Sequence, residues 1–259
     1  MTWSRANWVS WEKISPTRST SALLRMNLLD AVKIIDGESP AHKPIQICPQ
    51  NGVFSRQPLT EDLIINLKNF SPDRVFYLHA NHQLNNSKIL MYDAGTIGTH
   101  WEKCFLPLSE LSKILNCPIY SIHSGRKIHS SPNEIITNVL KLEKLFNCRI
   151  AIEGMYPSKR DNFNISTSAE YRWLLKSGLS MAIDVSHLNI VRNNEIGFDD
   201  TLLSELLFSD QCVEVHISDN DGVNDSHRAL PKNPPWWWKY ICEVIQSRPN
   251  LPIFCESVN

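Results

Sequence analysis

The sequence predicts an α/β protein of the (β/α)8 barrel class, from two observations. Short apolar runs rich in β-branched residues recur along the chain, at 45–48, 75–79, 119–123, 149–153, 181–185, 213–217 and 252–256. Segments with helical periodicity lie between these runs, and several begin with a Ser, Thr or Asp cap. Strands and helices that alternate at this spacing indicate βαβ units, which require parallel strands.

The remaining strand of such a barrel must come first in the chain. We place it at about residues 3–10, within TWSRANWVS and before the apolar segment SALLRMNLLDAVKII. The helix-like segments are LTEDLIINLKNF, FLPLSELSKIL, SPNEIITNVLKLEKLF, STSAEYRWLLKSG, DDTLLSELLFS and PPWWWKYICEVIQ. A single domain over residues 1–259 accounts for this pattern. The chain stops three residues after Glu256, so we expect the final helix to be missing.

A doubly wound open sheet is the alternative fold. In that class a glycine-rich turn that binds phosphate follows one of the strands. No such turn follows any of the predicted strands, and the chain has only nine glycines. The barrel is therefore favoured over the open sheet.

Composition narrows the class of partner. The formal net charge is −1, which argues against nucleic acid or an anionic membrane as a partner. The seven cysteines are scattered and form no CxxC pair, a distribution typical of reduced thiols in the cytosol. No apolar run approaches the roughly 20 residues that span a bilayer. We expect a cytoplasmic protein.

Polar residues fall where the predicted strands end. These residues are His79, His123, Glu153, Asp184, His216 and Glu256. The carboxyl ends of barrel strands meet at one rim, where barrel enzymes build their active sites. Carboxylates that converge in an apolar barrel mouth carry a large desolvation cost, and divalent cations usually compensate it. The pattern predicts a metal site.

Two short motifs enlarge this set. Asp184 and His187 form a D-x-x-H motif, and Asp225 and His227 form a D-x-H motif. The predicted metal ligands are therefore His79, His123, Glu153, Asp184, His187, His216, Asp225, His227 and Glu256. This is more than one four-coordinate ion needs, so we expect two or three ions. His82 is an alternative to His79, but in a strand it would point to the opposite face.

The order of these ligands resembles that of the endonuclease IV and xylose-isomerase-like TIM-barrel superfamily, over most of residues 45–256. That superfamily contains isomerases, epimerases, nucleases and oxidases. A narrower resemblance begins at residue 151. The segments AIEGMYPS, STSAEYRWLL, MAIDVSHLNIVRNNEIGFDD, VEVHIS, DSHRALPKNPPWWWKY and PIFCES are similar to the multinuclear non-heme iron-dependent oxidases of ribosomal peptide natural-product biosynthesis, the group of the methanobactin-forming enzyme. His187 and Gly154 stand where that group has Asn, which favours the nuclease and isomerase branches.

The narrower resemblance implies a role for each ligand. One ion would be held by His79, His123 and Glu153, a central ion by Glu153, Asp184, His216 and Glu256, and a third by His187, Asp225 and His227. The four ligands of the central ion are the implied catalytic residues. The ions would be iron, and the reaction would use dioxygen to modify a residue, most often Cys, of a precursor peptide. A companion protein that recognises this peptide, or a second copy of the chain, is the implied partner.

Two alternatives to the oxidase stay open. A metal-dependent sugar or sugar-phosphate isomerase or epimerase would use the same carboxylates to hold Zn²⁺, Mn²⁺ or Mg²⁺. A phosphodiesterase of the AP-endonuclease type is the other. Arg126 and Lys127, which follow the run IYSIHSG, and Trp236 are the candidate substrate-binding residues.

Overall fold

The structure is a computed structural model that describes residues 14, 16–23, 25–49, 60–80, 93–95, 101–160 and 162–258, with the backbone alone for 101–104. Its strands are β1 Thr17–Arg18, β2 Ile45–Ile47, β3 Phe76–His79, β4 Ile119–His123, β5 Arg149–Glu153, β6 Ser180–Asp184, β7 Cys212–Ile217 and β8 Ile253–Cys255. Neighbouring strands pair in parallel in the order β1-β8-β7-β6-β5-β4-β3-β2. An isolated parallel bridge from Ser19 to Gln46 links the two ends of this order. The predicted (β/α)8 barrel is confirmed.

Helices lie between the strands. After β1 come a 3-10 helix at Thr20–Leu23 and α1 Leu28–Glu38. The later helices are α2 Glu61–Phe70, α3 Trp101–Leu115, α4 Pro132–Phe146, α5 Ser168–Ser177, α6 Val185–Asn194, α7 Thr201–Phe208 and α8 Trp238–Ser247. None of these described helices is long and apolar enough to cross a membrane.

Local sequence explains where several helices begin and end. The side chains of Thr60, Ser131 and Thr167 each accept a hydrogen bond from a backbone N–H in the first turn of the helix that follows. Ser131 and Glu134 form a reciprocal capping box. Helix α5 ends at Ser177 and is capped by Gly178, whose φ of 81° places it in the left-handed region that glycine tolerates. These caps confirm the start signals that the sequence predicts for α2, α4 and α5.

Two predictions about element positions need correction. Residues 3–10, predicted as the first strand, lie outside the described residues, and the strand that pairs with β8 is Thr17–Arg18. This strand has only two residues, too few for an apolar alternation to reveal it. The predicted strand run 181–185 includes Val185, and the sequence predicts no helix between this run and DDTLLSELLFS. In the structure β6 ends at Asp184 and α6 begins at Val185. The Asp184 carboxylate caps that helix and so ends the strand.

The core has two parts. The larger part lies between the outer face of the sheet and the helices, and includes Leu142, Ile152, Leu174 and Val191. The smaller part lies inside the barrel, where Ile119, Ala151, Ala182 and Val213 pack together with Tyr77. After β8 the described chain continues only through residues 256–258, which form no helix.

Candidate metal centre

The predicted ligands converge at the carboxyl ends of the barrel strands. His79, His123, Glu153 and Asp184 are the last residues of β3 to β6, His216 is near the end of β7, and Glu256 follows β8. Asp225 and His227 reach the same place from the segment between β7 and α8. A pocket of about 120 Å³ opens here, lined by Ser21, Cys48, His79, His123, Glu153, His187, Asp225, His227, Glu256 and Val258. Asp184 and His216 lie against members of this lining.

Glu153 is the centre of the arrangement, and its side chain is fully buried. Its Oε2 lies 3.6 Å from His79 Nδ1 and 3.4 Å from His123 Nε2. Its Oε1 lies 3.0 Å from His216 Nδ1 and 3.8 Å from His187 Nδ1. One carboxylate therefore contacts four imidazoles, which is the geometry expected of a bridging ligand.

Two groups of side chains have ligand atoms close enough to hold an ion. The first group is His79, Glu153, His216 and Glu256, and the second is Glu153, Asp184 and His187; within each group the ligand atoms lie within 4.8 Å of one another. Glu153 belongs to both. The first group differs from the central site that the resemblance implies, because His79 takes the place of Asp184.

Asp225 extends the second group toward the pocket mouth. Its Oδ2 lies 3.3 Å from His187 Nε2 and 3.0 Å from His227 Nε2. His227 Nδ1 lies 3.8 Å from Glu256 Oε2, which connects this side to the first group. His227 has a φ of 43°, an uncommon conformation for a residue other than glycine and one that occurs at functional sites. The nine predicted ligands thus form one continuous cluster.

Two oxygen atoms of this cluster lack hydrogen-bond partners among the described residues. They are Glu153 Oε2 and Asp184 Oδ2, both buried. Leaving such an acceptor unsatisfied costs about 1–3 kcal/mol, and more if the group is charged. A cation held between the carboxylates would remove this cost, so the side chains present fit a divalent metal.

Asp184 and His187 are positioned by the start of α6. Asp184 Oδ1 accepts hydrogen bonds from the backbone N–H groups of Ser186, at 2.6 Å, and His187, at 3.2 Å, which leaves Oδ2 for the cluster. His187 Nδ1 lies 2.8 Å from the Gly154 carbonyl oxygen, to which it donates. His187 Nε2 then faces Asp184 and Asp225. The helix cap therefore fixes two ligands at once.

Gly154 has a steric reason to be glycine. A Cβ atom at this position would lie 2.3 Å from Cε1 of the Tyr171 ring. The Tyr171 hydroxyl donates to the Met155 carbonyl oxygen at 2.9 Å, which holds the ring in this place. Asn, which the resembled peptide oxidases have here, does not fit beside this ring.

Burial and the mutual charges of the cluster shift its pKa values. Burial raises the pKa of Glu153 to about 7, against the opposing effect of His216 and His187. Burial, together with His216 and His123, holds the pKa of His79 well below its ordinary value. Burial also lowers the pKa of His216, but Glu153 and Glu256 outweigh it and raise the value well above 6.5. Burial therefore favours the neutral forms of His79 and Glu153, whereas the carboxylates around His216 favour its protonated form.

Sequence reasoning missed two side chains that lie under the cluster. Glu214 Oε1 is 2.9 Å from His216 Nε2, and Gln46 Nε2 is 2.8 Å from the same ring nitrogen. Glu214 stands two residues before His216 in β7, so the alternation of a strand places both in the barrel interior. That spacing was a signal for Glu214. No comparable signal marks Gln46, which precedes the pocket residue Cys48 in β2.

The predicted substrate-binding residues lie outside the lining of this pocket. Lys127 Nζ forms an ion pair with Glu170 Oε1 at 2.6 Å. Arg126 pairs through its backbone with Phe163 in an antiparallel bridge. Trp236 is half-buried and its Nε1 donates to Asn189 Oδ1 at 2.8 Å. A role of these residues in substrate binding stays a prediction. His82 lies outside the described residues, whereas His79 contacts the cluster.

Comparisons with known proteins agree with this fold. No family model and no curated protein matches the chain. Among solved structures, a D-tagatose 3-epimerase-like protein has a TM-score of 0.65 and 14% identity, covering 93% of this chain and 89% of the other. Endonuclease IV from Thermus thermophilus has a TM-score of 0.56 and 17% identity, covering 88% and 86%. A xylose isomerase domain containing protein from Salmonella typhimurium has a TM-score of 0.63 and 10% identity, covering 95% and 89%.

At these identities the likeness establishes the fold alone. The narrower resemblance to peptide oxidases is not confirmed by these structures, which are named for epimerases, an isomerase domain and an endonuclease. The solved structures named above share the barrel fold of this chain.

Proposed function

We propose that this chain is a metal-dependent isomerase or epimerase that acts on a small hydroxylated substrate such as a sugar or sugar phosphate. The observation that carries the proposal is the placement of two buried glutamates around His79. Glu153 Oε2 is 3.6 Å from His79 Nδ1, and Glu256 Oε1 is 3.4 Å from His79 Nε2. The two carboxylates therefore reach the same ion-binding group from different directions.

The side chains of the first group suit a divalent ion such as Mn²⁺, Zn²⁺ or Co²⁺, since they combine imidazole and carboxylate donors. Bound there, the ion would polarise a carbonyl or hydroxyl group of the substrate. His79 and His216 supply neutral donors, and Glu153 and Glu256 supply the negative charge that balances the ion. All four are buried, which keeps water from competing for the ligand atoms.

The paired glutamates can move a proton at carbon. One carboxylate would remove the proton from the carbon next to the polarised carbonyl, and the other would return a proton to the opposite face. The net result is inversion of that carbon with no change in oxidation state. Ser21 Oγ donates to Glu256 Oε1 at 2.9 Å, which orients this carboxylate and leaves Oε2 toward the pocket. General acid–base catalysis of this kind contributes about 10²–10⁴-fold to the rate.

The named functions of two structural relatives support this choice. One is the D-tagatose 3-epimerase-like protein, and the other is a D-psicose 3-epimerase described in the presence of D-fructose, with a TM-score of 0.60 and 9% identity. Because the identity is low, these names add support only to a proposal that the paired carboxylates already suggest.

Hydrolysis of a phosphate ester is a second candidate, favoured by the number of ligands. His187, Asp225 and His227 continue the cluster beyond the first group. Sites with several ions can activate water and stabilise both the attacking and the leaving oxygen of a phosphoryl group. The net charge of −1 favours a small phosphate ester over a nucleic acid as the substrate.

Oxidation of a precursor peptide by two or three irons, which the sequence resemblance implies, stays a prediction. It depends on the motifs after residue 151, and the structural relatives named above carry no oxidase among them. A companion protein or a second copy of the chain as partner likewise remains a prediction.

Deuterium exchange tests the proposal. The metal-free protein is reloaded separately with Mn²⁺, Zn²⁺, Co²⁺ and, without air, Fe²⁺, and is incubated in D₂O with a panel of aldoses, ketoses and their phosphates. We expect proton NMR to show loss of the C–H signal next to the carbonyl of at least one sugar. In the Glu256→Gln variant the rate of this exchange should be lower by about 100-fold or more.

The exposed Glu110 of α3 provides the matched control, because Glu110→Gln removes the same charge from the outside of the barrel. The exchange rate of the Glu110→Gln variant should equal that of the unchanged protein. Absence of exchange, together with hydrolysis of bis(p-nitrophenyl) phosphate, would replace the proposal by the second candidate. Iron-dependent oxygen consumption with a Cys-containing peptide would instead support the oxidase.

A further inference from the structure

A second layer of polar side chains lies inside the barrel, directly below the metal ligands. Gln46, Ser121 and Glu214 are its members on β2, β4 and β7, and all three are fully buried. Each stands two residues before a residue of the cluster or of the pocket wall, so it points to the same interior. Ionised glutamate is almost never fully buried unless it is paired, so Glu214 requires an explanation.

Glu214 contacts the lower edge of the His216 ring. Its Oε1 lies 2.9 Å from His216 Nε2. The other ring nitrogen, Nδ1, lies 3.0 Å from Glu153 Oε1 and faces the metal ligands. His216 can therefore bind an ion through Nδ1 only if its proton resides on Nε2.

Gln46 lies where it could donate to His216 Nε2, which would require the opposite tautomer of His216. Its Nε2 lies 2.8 Å from His216 Nε2 and 3.2 Å from Glu214 Oε1. If Gln46 donated to His216, the proton would move to Nδ1, and the lone pair of Nε2 would face the Glu214 carboxylate at 2.9 Å. If both nitrogens donate to Glu214, the carboxylate receives two hydrogen bonds, and bonds to a charged acceptor are about twice as strong as neutral ones. The second arrangement brings two N–H donors within 2.8 Å of each other, but both are directed at the Glu214 carboxylate. The first arrangement sets a ring lone pair against that carboxylate at 2.9 Å, so the second is favoured.

His79 and His187 also have a partner on the inner side, but this partner is uncharged, unlike Glu214 beside His216. His79 Nδ1 lies 3.1 Å from Ser121 Oγ, and His187 Nδ1 lies 2.8 Å from the Gly154 carbonyl oxygen. Both partners are neutral. A carboxylate behind a metal-binding imidazole raises the basicity of the ligand more than a neutral acceptor does.

We propose that Glu214 is a positioning residue that holds the His216 proton on Nε2 and thereby makes Nδ1 a strong metal ligand. The group of His79, Glu153, His216 and Glu256 then binds its ion more tightly than the group of Glu153, Asp184 and His187. This inference rests on the metal centre of the proposed function and is independent of which reaction that centre performs.

Zinc titration of the metal-free protein against a fluorescent chelator tests the proposal. For the Glu214→Gln variant we expect the dissociation constant of the tightest zinc to rise about 10–100-fold, the usual cost of losing such an outer partner. The weaker binding step should keep its constant. Glu110→Gln is the matched control, because it makes the same change at an exposed position on the outside of the barrel. Its zinc affinity should be unchanged.

A second readout separates positioning from a role in stability alone. In the zinc-loaded unchanged protein with ¹⁵N-labelled histidine, the His216 signals should show a protonated Nε2 and a metal-bound Nδ1. Zinc bound through Nε2 would overturn the proposal, and this measurement needs no variant that folds. A Glu214→Gln protein that melts at a lower temperature yet binds zinc with the original affinity would also overturn it. Zinc binding requires no substrate, so failure of the isomerase assay leaves this test intact.

Discussion

The two ends of the barrel interior are built by the same strands and have opposite chemistry. At the lower end Ile119, Ala151, Ala182 and Val213 form a small apolar cluster. At the upper end the same strands carry carboxylates and imidazoles, with Glu153 two residues after Ala151 and Asp184 two residues after Ala182. Alternate residues of a strand share one face, so the change from apolar to ligand side chains occurs within one such step on β5 and β6. On β4 and β7 the polar residues Ser121 and Glu214 lie between the two ends.

Charges at the two ends are also satisfied differently. Below the barrel the Arg248 guanidinium donates to the carbonyl oxygens of Leu207, Ser209 and Cys212, at 2.7, 2.9 and 2.7 Å. At the upper end Glu153 Oε2 and Asp184 Oδ2 are buried without a hydrogen-bond partner among the described residues. The comparison supports a stabilising role for the lower charge and the proposed ion-binding role for the upper carboxylates. Each of the following changes tests this difference.

The largest effect is expected from Glu153→Gln. Glu153 is shared by both ion-binding groups, so loss of its charge should lower the affinity for both ions by more than about 100-fold. Loss of a residue that only supports a ligand already lowers metal affinity by up to about 100-fold. Metal content per chain after dialysis, measured by mass spectrometry, checks this. The exposed Glu110→Gln variant serves as control. A Glu153→Gln protein that retains its ions would remove Glu153 from the centre of the site.

Arg248→Met should affect stability and leave metal binding alone. Three hydrogen bonds from a charged donor are lost, and the half-buried position softens the penalty, so we expect about 2–4 kcal/mol less free energy of unfolding. Denaturant titration measures this loss. Arg149→Met is the matched control, because Arg149 is exposed and lines the same surface pocket at the lower end of the barrel as Arg248. A change in zinc affinity in Arg248→Met would show that the two ends are coupled.

The smallest effect is a pH dependence of the metal-free protein. His227 gains a hydrogen bond to Asp225 that outweighs burial and raises its pKa from 6.5 to about 9. A raised pKa contributes stability that is complete below pH 6.5 and is lost as the pH rises through about 9. The melting temperature should therefore fall by a few degrees between these values, and His227→Gln should show a smaller fall. A melting temperature that rises over this interval would contradict the assigned charge of His227.

The barrel, and the meeting of the nine candidate ligands at its rim, could be predicted from the sequence for one physical reason. Parallel strands deliver their last residues to a common rim, so polar residues after β-branched runs must meet. The short strand Thr17–Arg18 escaped this reasoning because two residues carry no period. Helix α6 escaped it because its cap, Asp184, lies within the predicted strand run 181–185.

The sequence by itself determined the class of fold, the rim at which the ligands meet and the mixture of imidazole and carboxylate donors, because these follow from periodicity and residue type. Only the tertiary structure decided that Glu153 is shared between two groups and that Glu214 and Gln46 meet below His216. Gln46 and Glu214 are 168 residues apart in the chain, and their contact depends on how the barrel closes. Closure is a property of all strands together, so local sequence cannot specify which side chains face each other across the interior.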